Sequence, residues 1–178
     1  MSRPAVFLDR DGTIIVDGKY LADPAGVIPL PGALESLAML QQHGYLLVII
    51  SNQSGIGRGY FCVAERDAVQ AHVEELFQAA GVSFAGDYYC PHAPEDDCSC
   101  RKPYPTMLLD AARELDIDLA ASFMVGDKVS DVQAGHNAGC RALLLAAAPV
   151  DCAADFIAPD IKAAAEWIIA QGGKPDVR

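Results

Sequence analysis

The stretch Val6–Thr13, VFLDRDGT, decides how this chain of 178 residues folds. It overlaps the apolar run Ala5–Leu8, and a short run of this kind, followed by polar turn residues, is typical of a buried strand. Two carboxylates, Asp9 and Asp11, come directly after the run. Because open α/β sheets bind ligands at the carboxyl ends of their strands, we expect both carboxylates to lie in a ligand-binding crevice.

The Asp9–Asp11 pair predicts a site for a divalent cation. Two neighbouring anions are costly to leave unpaired, and carboxylate oxygens are preferred ligands of hard cations such as Mg²⁺. Gly12 permits a turn after the pair, and Thr13 supplies a hydroxyl beside it. The alternative at this point is a capping or Asx-turn cluster that binds no ion.

Composition limits the class of protein. The formal net charge of −11 argues against broad binding to nucleic acid or to anionic membranes. No apolar run approaches the roughly 18 residues that cross a membrane, and no apolar leader follows Met1–Pro4. We therefore expect a cytoplasmic protein, and the length predicts one domain that spans residues 1–178.

Strand and helix patterns alternate along the chain, which predicts a doubly wound, mostly parallel α/β sheet of the Rossmann-like kind. The strands expected after Ala5–Leu8 are Tyr45–Ile50, Asp87–Cys90, Ser122–Val125, Ala142–Leu145 and Ala154–Ile157. Helices are expected from Gly32 to near Gly44, over Glu65–Ala80, over Thr106–Leu115, from Val132 with Asp131 as its cap, and from Asp160 through Trp167. These elements leave no segment long enough for a separate cap domain.

A cysteine-rich loop at residues 90–100 predicts a structural zinc site. Of the six cysteines in the chain, three cluster here with one histidine in the spacing C-x-H-x5-C-x-C. The four expected ligands are Cys90, His92, Cys98 and Cys100. Three thiolates and one imidazole complete a tetrahedral set, which leaves no open position for chemistry. Reduced thiols that merely lie close together are the alternative.

Three further polar groups are expected at the crevice. Ser51 opens a glycine-rich loop, Ser51–Gly59, whose hydroxyl and N–H groups can hold an anion. Asp127 follows a predicted strand, and Lys102 follows the zinc loop. Together with Asp9, these groups predict Mg²⁺-assisted phosphoryl transfer to an aspartate nucleophile.

The predicted catalytic roles are divided among five residues. Asp9 attacks phosphorus, and Asp9 and Asp127 hold Mg²⁺. Ser51 and Lys102 stabilise the charge on the phosphoryl oxygens. Asp11 protonates the leaving alkoxide and then activates the water that cleaves the aspartyl phosphate.

The motifs DRDGT, SNQSG, RKP and GDKVSD, in this order, resemble those of the haloacid-dehalogenase-like phosphatases over nearly the whole chain. Within that superfamily, SNQSGIGRGYF, YYCPH, CxCRKP and MVGDK are most similar to the D-glycero-D-manno-heptose 1,7-bisphosphate 7-phosphatase family. The resemblance implies a small phosphorylated sugar as substrate, Mg²⁺ and zinc as cofactors, and a place in the synthesis of nucleotide-activated heptose. It also implies that the Asp11 carbonyl joins Asp9 and Asp127 as a Mg²⁺ ligand, and that residues 90–100 bind the zinc.

The resemblance further implies a set of substrate-contacting residues. They are Asp17, Gly18, Lys19, Tyr20, Asn52, Gln53, Ser54, Arg101 and Lys128. Arg58 adds another cation. With Arg101 and Lys128 it supplies more positive charge than one transferred phosphate requires, which favours a bisphosphate substrate.

Two departures from the family pattern keep other functions open. Ser51 stands where the family commonly has Thr, and the five-residue gap between His92 and Cys98 equals that of the related histidinol-phosphate phosphatases. Histidinol-phosphate phosphatase is therefore the main alternative function. A polynucleotide 3′-phosphatase and a non-catalytic zinc module that binds a partner are further alternatives, although the acidic chain and the zinc loop weigh against DNA. We expect a monomer.

Overall fold

The computed structural model describes residues 2–172, so residue 1 and residues 173–178 of the predicted domain lie outside it. Its six strands form one sheet in which every strand pairing is parallel. The strands are β1 (Ala5–Leu8), β2 (Leu46–Asn52), β3 (Gly86–Cys90), β4 (Phe123–Gly126), β5 (Arg141–Leu145) and β6 (Phe156–Ala158). Their order is β3-β2-β1-β4-β5-β6, so the chain builds first to one side of β1 and then to the other. The predicted doubly wound α/β fold is confirmed.

Helices cover both faces of the sheet because alternate side chains of each strand point to opposite faces. They are α1 (Ala33–Gln42), α2 (Ser54–Gly57), α3 (Val63–Ala79), α4 (Thr106–Glu114), α5 (Val129–Ala138) and α6 (Ile161–Gln171), with 3₁₀ turns at Pro24–Gly26 and Leu119–Ala121. In β1, Val6 and Leu8 pack in the core with α1, α3 and α6. Ala5 and Phe7 pack in the opposite core with α4 and α5. This four-residue strand therefore joins both layers.

The carboxyl ends of β1, β2 and β4 are neighbours. β1 pairs with β2 up to Leu8 and Ile49, and with β4 up to Leu8 and Val125. The Asp9 N–H continues the second ladder, because it donates to the Val125 carbonyl at 3.0 Å. This register brings Asp9 beside the residues that follow β4, at the point where the strand order reverses.

The end of β2 differs from the prediction. The strand continues to Asn52 rather than ending at Ile50, because Ser51 and Asn52 still pair with β3. The predicted loop therefore begins two residues later, and it contains the single helical turn α2.

The start of α5 also differs from the prediction. The helix begins at Val129 rather than at Val132, so the prediction that Asp131 caps it from outside is wrong. Asp131 lies in the first turn instead, where its Oδ2 accepts the N–H of Lys128 at 3.0 Å. Backbone N–H groups at a helix start lack partners within the helix, and a carboxylate at the third helical position can accept one of them just as a capping side chain can.

The last helix begins as predicted. Asp160 precedes α6, and its Oδ1 accepts the N–H of Ala163 at 2.8 Å. The helix runs to Gln171, beyond the predicted end at Trp167. Among residues 2–172, no helix combines the length and the apolar character needed to span a bilayer.

Candidate active site

A single buried ammonium lies at the centre of the candidate site. Lys102 Nζ is 2.7 Å from Asp9 Oδ1 and 2.7 Å from Asp131 Oδ1. It also donates to the carbonyl oxygen of Ile50 at 2.7 Å. An ammonium has three protons, so these three acceptors use all of them. Lys102 is only 3 % exposed, and it ties the ends of β1 and β2 to the first turn of α5.

Asn52 fixes the backbone from which this ammonium projects. Its Oδ1 accepts the N–H of Lys102 at 3.0 Å, and its Nδ2 donates to the Lys102 carbonyl at 3.2 Å. The side-chain amide thus binds the lysine backbone as a second strand would. The last residue of β2 therefore determines where Lys102 lies.

Asp131 is a site residue that sequence reasoning treated mainly as a helix cap. Its contact with Lys102 shows that it belongs to the charged cluster, and it is 1 % exposed. The sequence signal was its spacing, four residues after Asp127 in a segment that follows a strand end. That spacing places both carboxylates at one end of the sheet.

Burial and neighbouring charges act against each other in this cluster. Removal from water raises the pKa of Asp9 to about 7, while Lys102 opposes the rise and Asp131 adds to it. Burial alone would lower the pKa of Lys102, but Asp9 and Asp131 together raise it above its ordinary value. Lys102 therefore stays charged, and a further positive charge nearby would favour the ionised form of Asp9.

The carboxylates of Asp9, Asp127 and Asp131 converge, with one oxygen of each within 4.8 Å of the others. Asp131 uses both of its oxygens elsewhere, on Lys102 Nζ and on the Lys128 N–H. Asp127 Oδ1 is buried without a hydrogen-bond partner, and burial raises the pKa of this carboxyl group while Lys128 opposes the rise. An unpartnered buried carboxylate oxygen beside a second carboxylate fits a divalent cation between Asp9 and Asp127.

Asp11 lies beside the cluster and is held by two other side chains. Its Oδ2 accepts from Arg10 Nε at 3.1 Å and from Gln53 Nε2 at 3.0 Å, and its Oδ1 accepts from Arg10 Nη2 at 3.3 Å. Gln53 Oε1 also accepts from Arg10 Nη2 at 3.3 Å, and Gln53 Nε2 donates to Ser51 Oγ at 3.3 Å. No sequence pattern assigned a role to Arg10. Its only signal is a cation between two aspartates at the end of a buried strand.

Two adjacent cavities open beside these groups. The first, of about 320 Å³, is lined by the predicted substrate residues Asp17, Lys19, Tyr20, Asn52, Gln53, Ser54 and Lys128, among others. The second, of about 240 Å³, is lined by Asp9, Asp11, Asn52, Ser54, Arg101, Lys102, Lys128, Ser130 and Asp131. Among the predicted catalytic, substrate-binding and magnesium-binding residues, four line neither cavity: Gly18, Arg58, Ser51 and Asp127. Arg58 Nη2 lies 3.2 Å from Glu95 Oε1 instead, and Ser51 is buried.

The four predicted zinc ligands lie together, with one ligand atom of each within 4.8 Å of the others. Cys90 Sγ is 3.1 Å from Cys100 Sγ and 3.7 Å from Cys98 Sγ, and His92 Nδ1 is 3.3 Å from Cys100 Sγ. Three sulfur atoms and one imidazole nitrogen this close fit a tetrahedral zinc ion. The loop also contacts a residue of the second cavity, because Arg101, which lines that cavity, donates from Nη1 to the His92 carbonyl at 3.3 Å.

Comparisons with known proteins agree with this geometry. A HAD-hydrolase-like family model matches residues 99–164. The D-glycero-beta-D-manno-heptose-1,7-bisphosphate 7-phosphatase of Photorhabdus laumondii is 43 % identical over 161 residues, 85 % of this chain and 86 % of that protein. The protein of the same name from Escherichia coli K12 is 39 % identical over 177 residues, 94 % of this chain and 89 % of that protein. This chain also aligns with the crystal structure of D,D-heptose 1,7-bisphosphate phosphatase from B. bronchiseptica, complexed with magnesium and phosphate. The TM-score is 0.84 at 33 % identity, and the alignment covers 95 % of this chain and 99 % of that chain.

Gly12→Ala should damage the cation site. Gly12 has a φ of +86°, and a Cβ there would lie 2.5 Å from Asp127 Oδ2, so alanine would displace this carboxylate. We expect the affinity for Mg²⁺, measured by calorimetric titration, to fall by about 10- to 100-fold, as when the surroundings of metal ligands are altered. Gly59→Ala is the matched control, because Gly59 has a φ of +72° but a Cβ there would meet nothing within 4 Å. Equal Mg²⁺ affinities in the two variants would contradict the predicted contact.

Proposed function

The chain belongs to the D-glycero-D-manno-heptose-1,7-bisphosphate 7-phosphatase family of HAD-like hydrolases, and on this premise we propose that it removes the 7-phosphate of D-glycero-D-manno-heptose 1,7-bisphosphate. The observation that carries the proposal is the cluster in which buried Lys102 holds Asp9 beside the unpartnered oxygen of Asp127. A nucleophilic carboxylate, a cation-binding carboxylate and a fixed positive charge are the parts that phosphoryl transfer requires. The reaction is the hydrolysis of a phosphoric monoester.

The first step forms an aspartyl phosphate. An oxygen of Asp9 bonds to phosphorus while the bond from phosphorus to the sugar oxygen breaks, and the sugar oxygen takes a proton from the carboxyl group of Asp11. Lys102 orients Asp9 and places a positive charge beside the transferred group. Asp9, Asp127 and the Asp11 carbonyl would hold Mg²⁺, which would supply the positive charge that screens the Asp9 carboxylate from the phosphate.

The second step regenerates the enzyme. Water attacks phosphorus and gives a proton to the Asp11 carboxylate, while the bond from phosphorus to Asp9 breaks. Inorganic phosphate leaves, Asp9 is again a carboxylate, and Asp11 again carries the proton that it lost in the first step. Asp11 thus acts first as an acid and then as a base.

Cations around the cavities support a substrate that carries a second phosphate. Arg101 and Lys128 line the cavity that contains Asp9, and Lys19 joins Lys128 in the neighbouring cavity. One transferred phosphate next to Asp9 leaves some of these charges unpaired, and a second phosphate pairs with them. Arg58 lies outside both linings, so the argument for the bisphosphate depends on the other three cations.

The zinc loop supports the orientation of these cations. The loop contains aspartate and proline and few apolar residues, so metal ligation supplies its rigidity. Cys100 immediately precedes Arg101 and Lys102, so its ligation holds the backbone from which both side chains extend. We assign zinc a structural role only. The cytoplasmic location, the monomeric state and the lack of nucleic-acid or membrane partners stay predictions from the sequence.

The protein with Mg²⁺ should hydrolyse D-glycero-D-manno-heptose 1,7-bisphosphate with a kcat/KM at least roughly tenfold above that for histidinol phosphate, because a site built to pair a charged group rejects an analogue that lacks it. The measurement is phosphate release from both anomers of the bisphosphate and from histidinol phosphate, with and without Mg²⁺. We expect the β anomer to react faster, since the relatives are named for it.

Two variants accompany this assay. Asp9→Asn should abolish turnover with an unchanged circular dichroism spectrum, because the amide is a poor nucleophile and a poor cation ligand. Asp11→Asn should lower turnover by about 10²-fold or more, the usual contribution of acid–base help. Faster hydrolysis of histidinol phosphate would overturn the proposed substrate, and near-normal turnover by Asp9→Asn would overturn the covalent mechanism.

Cys100→Ser should lose zinc and raise the KM for the bisphosphate by about tenfold, the loss expected for one misplaced charged contact. The KM for a small aryl phosphate should change less, because that substrate has no second phosphate to pair with Arg101. Metal analysis and kinetics on both substrates make the measurement. Cys62→Ser is the control, since Cys62 is exposed and outside the loop. A zinc-free Cys100 variant with an unchanged KM for the bisphosphate would refute the role given to the loop.

A further inference from the structure

We propose that Arg10 and Gln53 are positioning residues that hold the carboxyl group of Asp11 in the orientation needed for acid–base catalysis. The inference rests on the proposed function, in which Asp11 protonates the leaving sugar oxygen. It also gives Gln53 a role different from the substrate contact that the family resemblance implies.

The hydrogen bonds around Asp11 restrict its side chain in two directions. Arg10 binds both carboxylate oxygens through Nε and Nη2, and Gln53 binds Oδ2 from its amide nitrogen. The guanidinium fork is planar, so a pair of parallel bonds fixes the plane of the carboxylate as well as its position. The further bond from Arg10 Nη2 to Gln53 Oε1 closes a triangle of three side chains.

The side chain of Arg10 is almost fully buried, which is unfavourable for an arginine unless its polar groups have partners. It is 1 % exposed, and its Nη1 is buried without a hydrogen-bond partner. Among the ion pairs of residues 2–172, the one that includes Arg10 is with Asp11. An arginine buried with an unsatisfied N–H is costly, and an apolar side chain would fill the same space at lower cost. The contribution of the arginine is therefore the restraint that it places on Asp11.

The partly buried carboxylate of Asp87 does not account for the burial of Arg10. Asp87 pairs with Arg66, whose Nη2 lies 2.6 Å from Asp87 Oδ1. Arg10 affects Asp87 through its charge alone, and its influence on the pKa of Asp87 is smaller than that of Arg66. The hydrogen bonds of Arg10 go to Asp11 and Gln53 instead.

Gln53 connects this triangle to the sheet. Its backbone N–H donates to the Cys90 carbonyl at 2.8 Å, at the end of β3, and its Nε2 also donates to Ser51 Oγ. Both anchors are buried. The amide of Gln53 is thus used within the protein, and it transmits the rigidity of β2 and β3 to Asp11.

A comparison of leaving groups separates positioning of the acid from general damage. A sugar alkoxide needs the proton of Asp11 in order to leave, whereas 4-nitrophenolate leaves without one. With enzyme in excess, single-turnover release of the leaving group reports the first step alone for each substrate. We expect Arg10→Met to slow this step about 10²-fold for heptose bisphosphate and less than about threefold for 4-nitrophenyl phosphate, since misplacing a catalytic group costs about that much.

Two further variants strengthen the test. Arg10→Lys keeps the charge but loses the fork, so it should not restore the rate with the bisphosphate. Gln53→Leu should show the same divergence between substrates with a smaller loss, and it carries the test if Arg10→Met fails to fold. The matched control is the double variant Arg66→Met with Asp87→Asn, which removes another buried arginine together with its partner. It should lower stability and change both substrates alike.

The outcomes are distinct. Equal slowing of both substrates by Arg10→Met and Gln53→Leu, or no slowing of either, would overturn the positioning role while the proposed function stands. A parent protein that does not release phosphate from the bisphosphate would overturn the proposed function and this inference with it. Divergence between the substrates in both variants, without divergence in the control, is the result that we expect.

Discussion

A buried ammonium must be surrounded by acceptors, and at Lys102 this requirement joins three parts of the chain that are far apart in sequence. Asp9, the proposed nucleophile, follows β1, the Ile50 carbonyl lies in β2, and Asp131 lies in α5. Apolar contacts tolerate small displacements, whereas a buried charge without its partner is strongly destabilising. The position of Asp9 at the end of the sheet therefore depends on Lys102 more than on any apolar neighbour.

The same requirement bears on the proposed cation site. When ionised, Asp9, Asp127 and Asp131 carry three negative charges, while Lys102 and the nearby Lys128 carry two positive charges. A divalent cation would offset the remaining negative charge. Because Asp131 is occupied by Lys102 and by a backbone N–H, the cation falls to Asp9 and Asp127. One lysine thus both orients the proposed nucleophile and leaves Asp9 and Asp127 as the carboxylates that we propose for the metal.

The features predicted best from the sequence are those that depend on residues adjacent in the chain. The bounds of β1 at Ala5–Leu8 and the cap of α6 at Asp160 are confirmed, since an apolar run and a capping residue act locally. The ends that depend on a partner were predicted less well. β2 extends to Asn52 because β3 pairs with it. The start of α5 was misplaced because a carboxylate such as that of Asp131 can bind a free backbone N–H at a helix start either as the residue before the helix or as a residue of its first turn. The burial of Arg10 could not be predicted, because it follows from tertiary contacts with Gln53 and the sheet.

A double-mutant cycle on the free energy of unfolding tests most directly whether Lys102 and Asp131 form one electrostatic unit. Lys102→Met leaves buried carboxylates without their partner and should cost about 3–5 kcal/mol. Adding Asp131→Asn to Lys102→Met removes one of those carboxylates, so the double variant should recover part of the loss, with an interaction energy of about 1–3 kcal/mol. The interaction energy is obtained from denaturant unfolding, without added metal, of the parent protein, the two single variants Lys102→Met and Asp131→Asn, and the double variant. Effects of the two substitutions that add to within about 0.5 kcal/mol would contradict the central role of the buried ammonium.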